Sequence, residues 1–254
     1  MRARLPAIVL IGGLLLAWEA YVRLSGVNPV LLPGPIRVVE QLWLFRGEAV
    51  RHAVPTLVET VVGFAISVQI AIVVAAAMDR ASLVRRALEP LLVISQTVPI
   101  VAIAPLFVLW FGFGLAPKVL VVVLVTFFPI AIALLGGFRS TPPEAMDLLR
   151  SYGATPAQTF RLLRWPTALP SLFTGLRISV VYAVIGAVFG EYVGAREGLG
   201  IWMQLSQNAF RTDLVFGAIV VTAAVSLGLY AAVVILERVT VPWAPGISAE
   251  SHDR

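Results

Sequence analysis

The chain has 254 residues, 59% of them hydrophobic and only 13% charged, whereas a soluble domain stays near half apolar, so an ordinary soluble globular fold is excluded. With no cysteine and two histidines, His52 and His252, the chain has no means for disulfides, thiolate metal sites or a cysteine nucleophile, and little for a histidine-based metal or catalytic centre. The net charge of +5 reflects arginines in the connecting segments; aromatic-interleaved basic patches that would bind nucleic acid are absent.

Crossing the ~30 Å hydrocarbon layer takes roughly 20 apolar residues as a helix. Six runs meet that length, at about residues 5–24, 56–78, 91–111, 119–138, 172–193 and 214–236. They are continuously apolar, while a membrane barrel would alternate in strands of ~10 residues. The expected fold class is therefore all-α: a polytopic membrane protein with six transmembrane helices, forming a single transmembrane domain over residues 1–254.

The first run follows Arg2 and Arg4 as a signal peptide would, yet it is long enough to span. Trp18, Glu19, Tyr21 and Arg23 stand where a small-residue cleavage site would lie, so it reads as a retained helix. Glu19 and Arg23, four apart, form an expected snorkelling pair at its end. In the segment that follows, Val38, Leu42, Phe45 and Ala49 share a helical face opposite Arg37, Gln41 and Glu48, as in a helix resting on the membrane surface.

Glu59 falls toward the interior of the second run. The third, LLVISQTVPIVAIAPLFVLWF, carries Gln96, Thr97, Pro99 and Pro105. Proline in a spanning helix frees backbone carbonyls, which neighbouring helices or a water-filled cavity must satisfy. The run is either a packed kink or part of the lining of a solute path, with Gln96 as a hydrogen-bonding partner; Pro129 in the fourth run leaves the same two readings.

Residues 139–170 are expected to form a polar loop on the cytoplasmic side, with two helix-start signals. Thr141-Pro-Pro-Glu144 and Thr155-Pro-Ala-Gln158 both have the capping-box pattern. Gly153 stands where the first short helix must end, Pro166 is expected to stop the second, and Arg161 and Arg164 lie near one another on it. Ala145, Leu148, Leu149 and Tyr152 give the first helix an apolar face. Two readings follow: an amphipathic hairpin lying on the bilayer, or a rigid docking element for a cytoplasmic partner.

In the fifth run Arg177 is expected to snorkel at one end. Glu191 and Tyr192, just before Gly194 and Gly198, lie near the other; they suit an outer gate, a contact with a partner, or a helix-end salt bridge. Leu199, Trp202, Leu205 and Phe210 then suggest a second surface-resting segment before the sixth run. Six spans put both termini on one side. Arginine is more frequent in the segments on that side, which makes it the cytoplasmic one.

The loop carries a resemblance to a known family. Asp147, Gly153 six positions on, and Pro166 thirteen positions after that match the spacing of the cytoplasmic loop in permease subunits of binding-protein-dependent ABC importers. Leu148 and Leu149 depart from the alanines usual there, and Trp165 from leucine. LLPGPIRVVEQLW, QTVPIVAIAPLFVLWFGFG, GEYVGAREGLG and ALPSLFTGLR extend the resemblance over nearly the whole chain. It is most similar to the branch associated with nitrate, sulfonate, taurine and vitamin-precursor uptake, and WMQLSQNAFRTDLVFGAIVV is similar to members linked to pyrimidine precursors of thiamine.

The resemblance implies a permease without enzyme activity in a bacterial inner membrane. Its implied partners are ABC ATPase subunits, a solute-binding protein, a second permease copy, as a homodimer, and the lipid bilayer, with no nucleic acid. The coupling residues it implies are Glu144, Asp147, Gly153, Arg161, Arg164 and Pro166. Gln96, Thr97, Pro99, Pro105, Glu191 and Tyr192 are the candidates for path or gate, and the external amphipathic segments for binding-protein contact. Energy must come from elsewhere. The only lysine, Lys118, follows Pro117, so no Gly-Lys-Ser/Thr phosphate loop can form. No cofactor is expected in this chain; ATP and Mg belong to the partner ATPase. A self-contained secondary transporter would instead show internal repeats and intramembrane charge networks, and no convincing repeat is present.

Overall fold

The computed structural model describes residues 5–95, 97 and 99–243. Among them every regular element is helical: α1 (Leu5–Ser25), α2 (Pro35–Leu44), α3 (Arg46–Arg80), α4 (Ser82–Ser95), α5 (Ile100–Phe111), α6 (Leu115–Arg139), α7 (Pro143–Ser151), α8 (Pro156–Thr159), α9 (Trp165–Gly194), α10 (Leu199–Asn208) and α11 (Thr212–Thr240). Among the described residues, five stretches are long and apolar enough to cross a membrane. They contain five of the six expected spans. The third run departs from a single spanning helix: it divides into α4 and the 12-residue α5, and Pro99 is the N-cap of the latter. Proline cannot donate to the preceding turn and pushes its predecessor out of the helical region, so the break falls there.

The centre of the molecule is a packed trio, α3, α6 and α9. α9 runs antiparallel to α6, and glycine sets their approach. A Cβ on Gly137 would lie 2.9 Å from Ala168 Cα, one on Gly175 3.3 Å from Ile130 Cα, and one on Gly190 3.1 Å from Lys118 Cα. Small residues at such crossings let backbones meet where lipid provides no hydrophobic drive. Gly63 does the same for α3 against Val122 of α6. Ala71, Ala75, Ile130, Leu134, Phe138, Ala168 and Val180 fill the core between them.

The outer helices fasten onto this trio. Arg177 on α9 pairs with Glu237 on α11 at 3.4 Å, with both side chains largely covered. It therefore makes an interhelical ion pair rather than snorkelling freely. α1 stands exposed at the edge, held by the Trp18–Phe216 ring contact at 5.4 Å and by Glu19. Glu19 accepts from Arg23 Nε at 2.6 Å, as its spacing predicts, and also from the Ile36 N–H at the start of α2.

α2 and α10 are more than surface-resting segments. Arg37 and Arg211 both reach Asp213 at the start of α11, and Arg211 also reaches Gln41 on α2 at 2.8 Å. Leu199, Trp202 and Met203 of α10 are buried with Ala49 and Leu214. Their apolar faces meet protein because neighbouring helices already present apolar surface at the same level. Leu205 and Phe210 remain exposed.

Candidate functional site

Two groups of residues carry the sequence-derived candidates, one at each end of the trio. At the end where α3, α6 and α11 finish, α7 and α8 form a hairpin. Gly153 has φ +75, and the Ala154 N–H donates to Leu149 O while the Gly153 N–H donates to Arg150 O. That pair of bonds is a Schellman closure, which satisfies the last carbonyls of α7 and requires a left-handed residue. Nothing lies within 4 Å of a Cβ placed on Gly153. The glycine is there for its backbone angle and not for space.

The second capping box forms as predicted: Gln158 N–H donates to Thr155 Oγ1, and the Gln158 side chain takes the Thr155 N–H at 2.8 Å. The first does not. Thr141 Oγ1 donates instead to Phe138 O at 3.0 Å, and Pro142 is the N-cap of α7. The preceding α6 ends with unpaired carbonyls, and the buried threonine satisfies one of them. Glu144, exposed in the first turn of α7, keeps a favourable position for the helix dipole without capping.

Pro166 does not stop the second helix. α8 runs through a widened π turn, Phe160–Arg164, directly into α9, so residues 156–194 make one continuous helical stretch of 39 residues. The Trp165 N–H reaches back five residues to Phe160 O. A proline ring collides with the carbonyl four residues before it in a regular helix, and the widened turn just upstream accommodates that collision. At ~1.5 Å per residue the stretch is ~58 Å long, nearly twice the ~30 Å hydrocarbon layer. Its hairpin end must therefore stand outside the layer.

Asp147 and Arg150 are exposed and paired to each other at 2.9 Å. Arg161 is exposed, as are Leu148, Tyr152 and Leu162, the last three at 57%, 81% and 66%. Arg164 behaves differently from its expected neighbour Arg161. It turns inward, with Nη2 on Asp79 Oδ1 at 2.5 Å and on Phe138 O at 3.3 Å. Between hairpin and trio lies a cavity of about 650 Å³ lined by Asp79, Arg80, Met146, Arg150, Phe160 and Arg164, among others.

At the opposite end a buried polar cluster joins the trio to α10. Lys118 Nζ meets Glu59 Oε1 at 2.5 Å, with 10% and 4% of the two side chains exposed. The Glu191 carboxyl, completely buried, accepts from Thr56 Oγ1 and from the Gly200 N–H, both at 2.5 Å. Thr56 Oγ1 accepts the Leu199 N–H in turn, and His52 Nδ1 accepts that of Gly198. A Cβ on Gly198 would fall on the Glu191 carboxyl.

Glu191 is therefore neither a surface contact for a partner nor half of a salt bridge. It is an internal pin holding the first turn of α10 to α3 and α9, because backbone N–H groups at that turn lack helical partners. Tyr192 packs half-buried beside α10, donating to Met203 Sδ at 3.7 Å. A cavity of about 610 Å³ adjoins the cluster, lined by Glu59, Lys118, Phe113 and Glu197 among others. On its rim Arg51 holds Glu197 at 2.6 Å, and that hydrogen bond keeps the Glu197 carboxyl below the usual carboxylate range.

Of the remaining candidates, Thr97 and Pro99 sit at the break between α4 and α5, and Pro105 lies inside α5. Thr97 is exposed and donates to Ile94 O at 2.7 Å, and Pro99 and Pro105 are exposed. Gln96 lies outside the described residues. The structure thus leaves these three apart from the buried polar cluster. Sequence reasoning passed over Asp79, His52 and the Glu59–Lys118 pair as site residues. A charge in an otherwise apolar run was the available signal; which charges meet depends on helices far apart in the chain.

Helices long enough to span, an extended hairpin at one end and a polar cluster at the other define a multi-pass membrane protein with an all-α fold. Residues 67–242 match the family described as the binding-protein-dependent transport system inner membrane component, and the chain belongs to that family, the permease subunits of ABC importers. It is 41% identical over 231 residues to the formylaminopyrimidine transport permease protein ThiX of Halalkalibacterium halodurans, covering 91% of this chain and 92% of that one. It is 39% identical over 232 residues to the riboflavin transport system permease protein RibX of Chloroflexus aurantiacus, covering 91% and 87%. Among solved structures it is similar in fold to a chain of the inward-facing MetNI methionine ABC transporter, with TM-score 0.59, 20% identity, and 82% and 98% of the two chains covered.

Proposed function

We propose that this permease moves a small heterocycle, of the kind of a pyrimidine precursor of thiamine, delivered by a solute-binding protein and driven by a separate ATPase. The hairpin at residues 139–170 is the coupling element that the ATPase grips. The observation that carries this reading is the hairpin's construction: a Schellman closure at Gly153 and a reciprocal cap at Thr155–Gln158 stiffen a polar projection that presents Leu148, Tyr152 and Leu162 outward. A segment lying on lipid needs no such rigidity; a lever does.

In this reading Glu144, Asp147 and Arg161 face the ATPase, Gly153 sets the elbow, and Pro166 passes the movement into α9. Arg164 supports the hairpin from inside. ATP and Mg are held by the partner. The hairpin end and both termini are cytoplasmic, in a bacterial inner membrane. The opposite end, with α2 and α10, receives the binding protein, and a second copy of the chain completes the path, with Gln96, Thr97, Pro99 and Pro105 as candidates for its lining. The heterocycle is favoured over taurine or an aliphatic sulfonate by similarity: identity is 41% and 39% to the formylaminopyrimidine and riboflavin permeases, against 32% to the taurine permease TauC of Escherichia coli.

The test is reconstitution of the chain with its candidate ATPase in proteoliposomes, with uptake measured from binding protein loaded with an aminopyrimidine or with taurine. ATP-dependent uptake of the aminopyrimidine alone is expected. Uptake that persists without the ATPase would refute the coupling role, and taurine uptake would refute the substrate.

A further inference from the structure

α9 is continuous with the hairpin, but α3 and α6 are separate chain segments that finish beneath it. One side chain reaches both. Arg164, in the widened turn, binds the Asp79 carboxylate in the last turn of α3 and the Phe138 carbonyl in the last turn of α6. Asp79 is 1% exposed at its side chain, and its second oxygen takes no hydrogen bond among the described residues. Around this pair the contact is reinforced. Arg80 lies 4.8 Å over the Phe160 ring, and Phe160 packs on Phe138 and Trp165 at 5.5 and 6.3 Å. Arg85, opening α4, donates to the Met78 carbonyl at 3.2 Å.

A buried carboxylate with one arginine bound to it directly, and Arg80 and Arg85 nearby, is a poor device for stability alone, since apolar residues of similar volume often serve as well. It is a good device for fixing one geometry. We infer that Asp79 and Arg164 form a strut that makes the hairpin and the ends of α3 and α6 one rigid body, with Asp79 a positioning residue for coupling. α3 is a single helix of 35 residues, and it carries His52, Thr56 and Glu59 into the polar cluster at the far end. Movement delivered to Asp79 therefore arrives where Thr56 holds Glu191 and Glu59 holds Lys118. Without the strut, the hairpin would reach the end of α3 only through the Arg80–Phe160 contact and the packing of the shared core.

This inference rests on the hairpin being the ATPase contact, and its test separates the two. D79N and the apolar double variant D79L/R164M are purified with the ATPase, and solute moved per ATP hydrolysed is measured in proteoliposomes. The strut predicts that the ATPase still co-purifies, that binding-protein-stimulated hydrolysis stays within about twofold of the unmodified chain, and that solute per ATP falls at least tenfold in both, with D79E recovering most of it. The double variant leaves no charge unpaired and so keeps the experiment readable if D79N folds poorly. Normal solute per ATP in the double variant overturns the strut. Loss of ATPase co-purification in these variants overturns it as well, since the pair would then belong to the grip itself.

The absence of native cysteine permits a second arm. Arg80→Cys with Phe160→Cys, joined by a short bifunctional thiol reagent, should transport as well after cross-linking as before. Arrest on cross-linking would mean that α3 and the turn move against each other, which also refutes the strut. Failure of the coupling reading is a distinct result: the unmodified chain would then transport without its ATPase.

Discussion

Replacing Gly153 isolates what the elbow of the hairpin requires. Its φ of +75 lies in the left-handed region, and a Cβ there would touch nothing within 4 Å. A substitution therefore meets backbone strain and no steric neighbour. An ordinary L-residue costs roughly 1–2 kcal/mol in that region, more when β-branched, while asparagine tolerates it. If that strain is relieved by opening the Schellman closure, the closed hairpin loses a factor of about 5–30 in population per copy. The expected order of coupling is Gly153, then Asn, then Ala, then Val, with the valine variant reduced about tenfold or more. The assay pairs ATPase affinity for the detergent-solubilised permease with uptake in proteoliposomes, and total membrane-inserted protein is the control that should not change. Equal loss in Asn and Val would refute the argument from φ. Full coupling in Val would refute the elbow itself.

Two further predictions concern stability in detergent. Lys118→Met leaves the Glu59 carboxyl buried without its ion partner, a loss of up to roughly 3–5 kcal/mol, so its melting temperature should fall below that of the double variant Glu59→Gln/Lys118→Met. Equal melting of the two would show that the pair is not coupled. Gly137→Ala places a Cβ 2.9 Å from Ala168 Cα and must part α6 from α9, at about 1–3 kcal/mol. Gly136→Ala meets nothing within 4 Å and should be neutral or stabilising, because alanine favours a helix over glycine. A reversed order in a thermal scan would contradict the assigned crossing.

Much of this protein is legible from local chemistry. The length of an apolar run decides whether a helix can span, and five stretches obey it. Pro99 marks the interruption of the third run, although only the structure shows a full break. The Thr155–Gln158 cap and the Gly153 elbow are read correctly because each concerns backbone groups within a few residues. Thr141 fails as a cap for the opposite reason: its hydroxyl answers the carbonyl of Phe138, an end-of-helix demand that its own downstream sequence does not display. Pro166 looks like a terminator until the widened turn before it removes the clash.

The apolar runs, the stiff polar hairpin, the absence of a phosphate-binding loop and the resemblance to importer permeases are all legible in the order of residues along the chain. The pairing of charges between helices is a matter of tertiary packing. Asp79 with Arg164, Glu59 with Lys118, and Arg177 with Glu237 each join helices 59 to 85 residues apart in the chain. In an apolar surrounding a charge must find a partner. For Glu59 and Lys118 the partner is set by how closely Gly63 and Gly190 let α3, α6 and α9 approach, and that distance is a property of packed helices, not of any one of them.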